Sequence, residues 1–179
     1  MIKVENKSKE EIAEIGRSIG EAFAAEKAGI VTMFTREQAV KAFEIITDYY
    51  YRAGVLYTTS EKGEGHLAYW RKKTKPAICP FLHMVKRFLR ELPPKAWLAS
   101  AAGGGEQYAK IFGKEPDYIA ISMVVVLRKF QGKGFMHKVL EQPFTEAVLK
   151  GIPCVLDTDT PLKAKNIYGA AWNCAARKN

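Results

Sequence analysis

The sequence is poor in cysteine: Cys79, Cys154 and Cys174 are the only three in 179 residues, and none belongs to a Cys-x-x-Cys or Cys/His pair. An odd, widely spaced set gives neither a disulfide framework nor the usual zinc-ligand spacings. All three are expected to be reduced, two of them in the core and Cys174 near an exposed end. His66, His83 and His137 are equally scattered, so no metal is expected. No apolar run reaches the roughly 18 residues that a membrane-spanning helix needs. The start Met1-Ile2-Lys3-Val4-Glu5 alternates apolar and charged residues, unlike a secretory leader. These absences predict a cytoplasmic protein with no membrane partner. Phosphate-loop signatures are missing too. There is no Gly-x-Gly-x-x-Gly, and Gly103-Gly104-Gly105 lacks the Lys-Ser/Thr of a Walker loop, so it reads as a flexible turn.

What is present suits one core. With 47% hydrophobic residues the chain can bury most of its apolar surface in a single domain over residues 1–179. A formal charge of +9, from 28 basic and 19 acidic residues, favours a polyanionic partner, either nucleic acid or a phosphate-rich cofactor. A nucleic-acid module would interleave lysine and arginine with exposed aromatic residues, and no such face is evident. The densest basic run, Arg71-Lys72-Lys73 with Lys75, stands beside Thr74 and Pro76 and reads as a solvated loop.

Along the chain, residues 1–7 alternate as a strand, and Ser8 is placed to cap a helix to about Glu26 with Ile12, Ile15, Ile19 and Phe23 on one face. Thr35 and Gln38 form a capping box for a second helix, whose stripe is Ala39, Ala42, Phe43, Ile46, Tyr49 and Tyr50. Residues 55–59 and 66–70 read as strands around the turn Gly63-Glu64-Gly65. Pro80 is expected to open a third helix carrying Phe81, Val85, Phe88, Leu89 and Leu92, stopped by Pro93-Pro94. From Asp117 the pattern sharpens: Tyr118 to Leu127 is apolar nearly throughout, as in a strand covered on both faces. A helix with Val139, Leu140, Phe144, Ala147 and Val148 inward follows, kinked at Pro143. Gly151-Ile152-Pro153 ends it, and residues 154–158 form a second buried strand.

Between that strand and helix stands Gln131-Gly132-Lys133-Gly134-Phe135-Met136. Two glycines let backbone approach a ligand, and the first N–H groups of a helix lack intrahelical partners and face the positive end of its dipole. Arg128, Lys129, Lys133 and Lys138 add positive charge. A pyrophosphate fits such an opening.

This stretch resembles the GCN5-related N-acetyltransferases, whose loop reads Gln/Arg-x-x-Gly-x-Gly/Ala between a strand and a helix. Gln131, Gly134 and Met136 occupy those positions, with Met136 where a small residue is usual. The resemblance runs from about Asp117 to Tyr168 and implies a mixed α+β fold, a mostly antiparallel twisted sheet flanked by helices. It implies acetyl-CoA as co-substrate, held by Gln131, Gly132, Lys133, Gly134, Phe135 and Met136 and by the main chain of Val124, Val125 and Val126. Asn166 becomes a contact on the pantetheine or sulfur side, and Tyr168 the general acid for the leaving thiolate. A phenol, protonated at neutral pH, suits that task. Residues 1–116 would then be the acceptor-side half and 117–168 the cofactor half. The acceptor is an amine of a small molecule or peptide, with Tyr49, Tyr50, Tyr51 and Trp70 available to line its pocket. Glu64, His66, Asp117, or Ser122 through water are alternatives for the base. After Tyr168 the family's Tyr-Glu-x-Leu-Gly text gives way to Gly169-Ala170-Ala171-Trp172, so residues 169–179 form an atypical tail and the usual last strands are not expected. A shift of one nucleotide restores the family's glycine, since the tryptophan codon TGG followed by the A of Asn173 contains GGA. Without the last strands an exposed sheet edge invites a homodimer. The competing readings are a CoA-binding protein of this fold without turnover and, behind it, a basic nucleic-acid module.

Overall fold

The computed structural model describes residues 1–25, 34–74, 76–96 and 114–156. The order of elements is β1 (Ile2–Lys3), α1 (Lys9–Ala24), α2 (Arg36–Arg52), β2 (Leu56–Thr58), β3 (Gly65–Arg71), α3 (Ile78–Glu91), β4 (Ile119–Val126), α4 (Phe135–Lys150) and β5 (Cys154–Leu156). The strands form one sheet in the order β1-β2-β3-β4-β5. It is a mixed α+β fold with a mostly antiparallel sheet, as expected. β3 and β4 run antiparallel, while β4 and β5 are parallel through the α4 crossover. The chain divides into two compact units, one built on Met1–Ile2 and the described parts of Tyr57–Lys75 and Gln107–Asn179, the other on Lys3–Leu56 and the described part of Pro76–Glu106.

The second unit is helical. Ser8 accepts from Glu11 N, and the Glu11 carboxylate accepts from Ser8 N, so α1 begins on a reciprocal capping box. Thr35 and Gln38 do the same for α2. The expected first strand stops at Lys3, and Asn6 in the left-handed region (φ 54°) turns the chain toward the Ser8 cap. Gly16 and Gly20, one turn apart on α1, face the backbone of α2. A Cβ on Gly16 would lie 2.6 Å from Glu44 Cα, and one on Gly20 2.6 Å from Val40 Cα. Phe23 and Phe43 stack at 4.2 Å between the same two helices.

The buried band of α2 is Ala39, Ala42, Ile45 and Thr47, broader than the expected stripe because α1 and α3 both pack on it. Phe43, Ile46, Tyr49 and Tyr50 are half-buried. α3 differs more. It begins at Ile78, two residues before Pro80, and of its expected apolar residues Phe88 and Leu92 are buried, Val85 is half-buried, and Phe81 and Leu89 are exposed. Ion pairs set its rotation: Arg87 reaches Glu44 and Asp48 on α2 and Glu91 on its own helix. Cys79, expected in the core, is exposed in the first turn of this helix, and Cys154 is half-buried.

The first unit is built on the sheet. One face of β3 and β4 carries Leu67, Tyr69, Ile119, Ile121 and Val126, against which α4 packs Val139, Leu140 and Ala147. Pro143 is fully buried within α4, and the helix continues through it to Lys150. Val148, expected inward, is 54% exposed, because the last turn of α4 extends past this cluster. β5 is half-buried over residues 154–156. Arg71, expected in a solvated loop, is the last residue of β3 and pairs with the Asp117 carboxylate, and Lys72 Nζ donates to Glu115 O at 2.7 Å. Among the described residues no helix is long and apolar enough to cross a membrane.

Candidate functional site

β4 carries its strand hydrogen bonds to the edge of the glycine loop. Leu127 N donates to Glu64 O at 2.9 Å, and a 3-10 turn over Arg128–Phe130 follows. Gln131 then folds back, its Nε2 donating to Val126 O at 3.0 Å. That bond ties the loop to the end of β4 and gives Gln131 a structural task. Gly132 (φ 73°) and Gly134 (φ 79°) are both left-handed, a region that disfavours residues with a Cβ. Apart from their chain neighbours, no atom of the described residues lies within 4 Å of where a Cβ would stand on either, so the backbone here borders open space. Gly134 is the N-cap of α4 and offers no side chain to the first-turn N–H groups.

Among the described residues of the loop and the first turn of α4, the charge has one sign. The first turn of α4 carries no acid, and Arg128, Lys129, Lys133 and Lys138 are exposed. Phe130 and Phe135 meet edge to face at 5.7 Å. Lys129 and Lys133 lie over the Phe130 ring, at 5.0 and 5.7 Å, and Lys138 over Phe135 at 5.1 Å. Each contact is weak at an exposed site, on the order of 0.5–1 kcal/mol, yet together they gather three ammonium groups at the loop. Met136 packs against the cluster beneath α4, so its side chain turns toward the core and leaves the opening clear.

β4 has an irregularity that the sequence does not announce. Ala68 pairs with Met123 and Tyr69 with Ile121, so Ser122 is an extra residue with no partner position on β3, a β-bulge. Ser122 Oγ accepts from Trp70 Nε1 at 2.9 Å. Beyond the bulge, Val124 faces the α4 side, in register with Leu67, and Val125 the opposite side, in register with His66. The parallel pairing with β5 covers only Ile119, Ala120 and Ile121. Within the described residues, then, the strand pairing of Met123 to Val126 is on the β3 side alone. Asn166 and Tyr168 lie outside the described residues, as do Cys174, Gly103–Gly105 and the tail.

The side chains considered as bases are all engaged or neutral. The Glu64 carboxylate accepts from Ser60 Oγ (2.5 Å) and Thr59 Oγ1 (2.8 Å), and these bonds hold it below the ordinary carboxylate range. His66 is 3% exposed, and burial lowers its pKa to about 4 against the opposing pull of Glu64. Its Nδ1 has no hydrogen-bond partner among the described residues. Burial raises the pKa of Asp117, but the Arg71 guanidinium and Lys73 N outweigh it and leave the carboxyl lowered. Of the aromatics considered for an acceptor pocket, Tyr51 is structural: its hydroxyl accepts from Lys7 N and donates to Lys7 O, both at 3.1 Å.

A second polar cluster escaped the sequence reading. Tyr69 OH donates to Glu146 Oε2 (3.1 Å) and accepts from Gln142 Nε2 (2.9 Å), at the end of the sheet away from the loop. Burial raises the Tyr69 phenol and pushes the Cys154 thiol up to about 12, with Glu146 adding to both. Both groups stay protonated, and the two bonds of Tyr69 fasten α4 to the sheet. The four-residue spacing of Gln142 and Glu146 places both on one helix face and was the available signal. No protein-family model matches the chain, and no curated protein matches it.

Proposed function

We propose that the chain is an acetyl-CoA-dependent N-acetyltransferase of the GCN5-related kind, acting directly on a primary amine of a small molecule or peptide. The observation that carries this reading is the bulged β4 running into a left-handed glycine loop and an uncapped, acid-free helix start. That arrangement supplies backbone N–H groups and cations for a pyrophosphate. It also supplies a stretch of strand, from Met123 to Val126, whose β5-side main chain can pair with a pantetheine arm. Gln131, Gly132, Lys133, Gly134, Phe135 and Met136 hold the phosphates, and Val124, Val125, Val126 and Asn166 meet the arm.

In the reaction the amine nitrogen attacks the thioester carbonyl, the C–N bond forms and the C–S bond breaks. The thiolate takes its proton from Tyr168, and the nitrogen loses one to water. Tyr168→Phe is expected to lower the turnover number at least tenfold, on the scale of a lost general acid, with little change in acetyl-CoA affinity. Thiol release from acetyl-CoA over a panel of amines checks this. Equal loss of turnover and affinity contradicts the acid role.

A second reading, a CoA-binding protein without turnover, is favoured by one observation. Glu64 and Asp117 are held as ion-paired or hydrogen-bonded carboxylates, and His66 is buried and neutral. Binding without single-turnover transfer to any amine selects that reading.

A further inference from the structure

α3 buries one apolar row and exposes another. Phe88 and Met84 pack in one cluster with Ala42 and Ile45, and Arg87 beside them is bonded to Glu44, Asp48 and Glu91, while a second apolar row lies on the solvent side. Ile78, Phe81, Leu82 and Leu89 are 68, 45, 58 and 57% exposed. They recur at helical spacing over about 16 Å of helix axis. A monomer surface does not usually keep four large apolar side chains in one row.

The charge beside this row is positive. Lys86 and Arg90 are exposed on the flank adjoining the stripe, and Lys95 is exposed just beyond the helix. The helix's only carboxylate, Glu91, is taken by Arg87, Arg90 and Lys41. A second copy laid against this face would bring cations against cations with no free acid between them. A large apolar moment, low net hydrophobicity and basic flanks are the features of helices that lie in a lipid–water interface.

We propose that α3 is a peripheral membrane-docking helix, which seats Ile78, Phe81, Leu82 and Leu89 in the acyl boundary of an anionic phospholipid surface while Lys86 and Arg90 meet the headgroups. The chain's net charge of +9 acts in the same direction. Such docking is reversible and independent of the acetyl-CoA reading.

The test is co-sedimentation of the full chain with vesicles of phosphatidylcholine, with and without phosphatidylserine. The expected result is binding to the phosphatidylserine vesicles that weakens with added salt, and little binding to phosphatidylcholine alone. The double variant Leu82→Gln/Leu89→Gln keeps the charge and changes only exposed positions. It should bind on the order of tenfold less or weaker, by the apolar surface lost, with an unchanged circular dichroism spectrum. Failure of the wild type to sediment overturns the proposal. So does equal binding by the double variant, which would leave charge alone responsible. A wild-type dimer that the variant loses, or capture of an acidic peptide without vesicle binding, overturns it in favour of a protein partner.

Discussion

Gly16→Ala and Gly20→Ala are each expected to destabilise the protein by about 2 kcal/mol, and the pair by more than either but by less than the roughly 4 kcal/mol of the sum, because one separation of the helices relieves both. In an isolated helix the same change is favourable by about 1 kcal/mol, because glycine is the poorer helix former. Here the new methyl groups would stand 2.6 Å from the Cα atoms of Glu44 and Val40. Neither is a flexible side chain that can step aside; both are backbone atoms of α2. Relief therefore requires α1 and α2 to separate, which opens the packing of Ile12, Ile19 and Ala42 and unstacks Phe23 from Phe43. Each kcal/mol lowers the melting temperature by about 2–4 °C in a chain of this size. Chemical denaturation of the two single variants and the double variant checks the prediction, with Ser18→Ala, at an exposed position of the same helix, as the control. A double variant as stable as the control contradicts the close crossing.

Stability is expected to fall by about 3 kcal/mol as the pH drops from about 6.5 to about 4, through His66. The sign follows from burial. The imidazole is buried on β3, and its pKa is lowered from 6.5 to about 4. At pH 7 it is neutral in the folded chain and mostly neutral in the unfolded one, so its contribution to pH dependence is small. Below pH 6.5 the unfolded chain takes up a proton that the folded chain refuses, so acid draws the equilibrium toward unfolding until the folded imidazole itself titrates near pH 4. The lowered carboxylates act in a more acidic window. Glu91, held at about 2 chiefly by Arg87, loses its contribution as the pH falls from 4.5 toward 2. Urea midpoints measured at pH 7, 6, 5 and 4.5 separate the two, and His66→Gln should flatten the upper window. Equal midpoints at pH 7 and pH 5 for the wild type contradict the buried neutral imidazole.

Much of the fold is written locally. Ser8 with Glu11, and Thr35 with Gln38, mark helix starts because a side chain three residues away decides them. Gly151, left-handed at φ 60°, ends α4 for an equally local reason. The candidate site is legible to the same degree: Gln131, Gly132 and Gly134 sit between an apolar strand and an amphipathic helix, and the structure puts them there. What escaped depends on partners distant in sequence. Gly16 and Gly20 look like weak points in a helix until Glu44 and Val40 are known to face them. The bulge at Ser122 is a mismatch in counting between β3 and β4, invisible in either strand alone. The rotation of α3 depends on Arg87 meeting Glu44 and Asp48 and on Phe88 packing with Ala42 and Ile45, partners that the helical spacing of α3 alone does not name. His66 was a plausible base by residue type, and only its burial makes it a neutral group.

The central claim is that the loop from Gln131 to Met136 holds the phosphates of coenzyme A. Its most direct test compares the unfolding free energy of the full chain alone, with acetyl-CoA, and with acetyl-pantetheine, which carries the same thioester and arm without the nucleotide phosphates. Acetyl-CoA at about 100 times its dissociation constant should add about 2.7 kcal/mol. Acetyl-pantetheine at the same concentration should add far less, and Gly134→Val, which forces a side chain onto a left-handed backbone at the mouth of the loop, should lose most of the acetyl-CoA gain. No stabilisation by acetyl-CoA at any concentration would contradict the account.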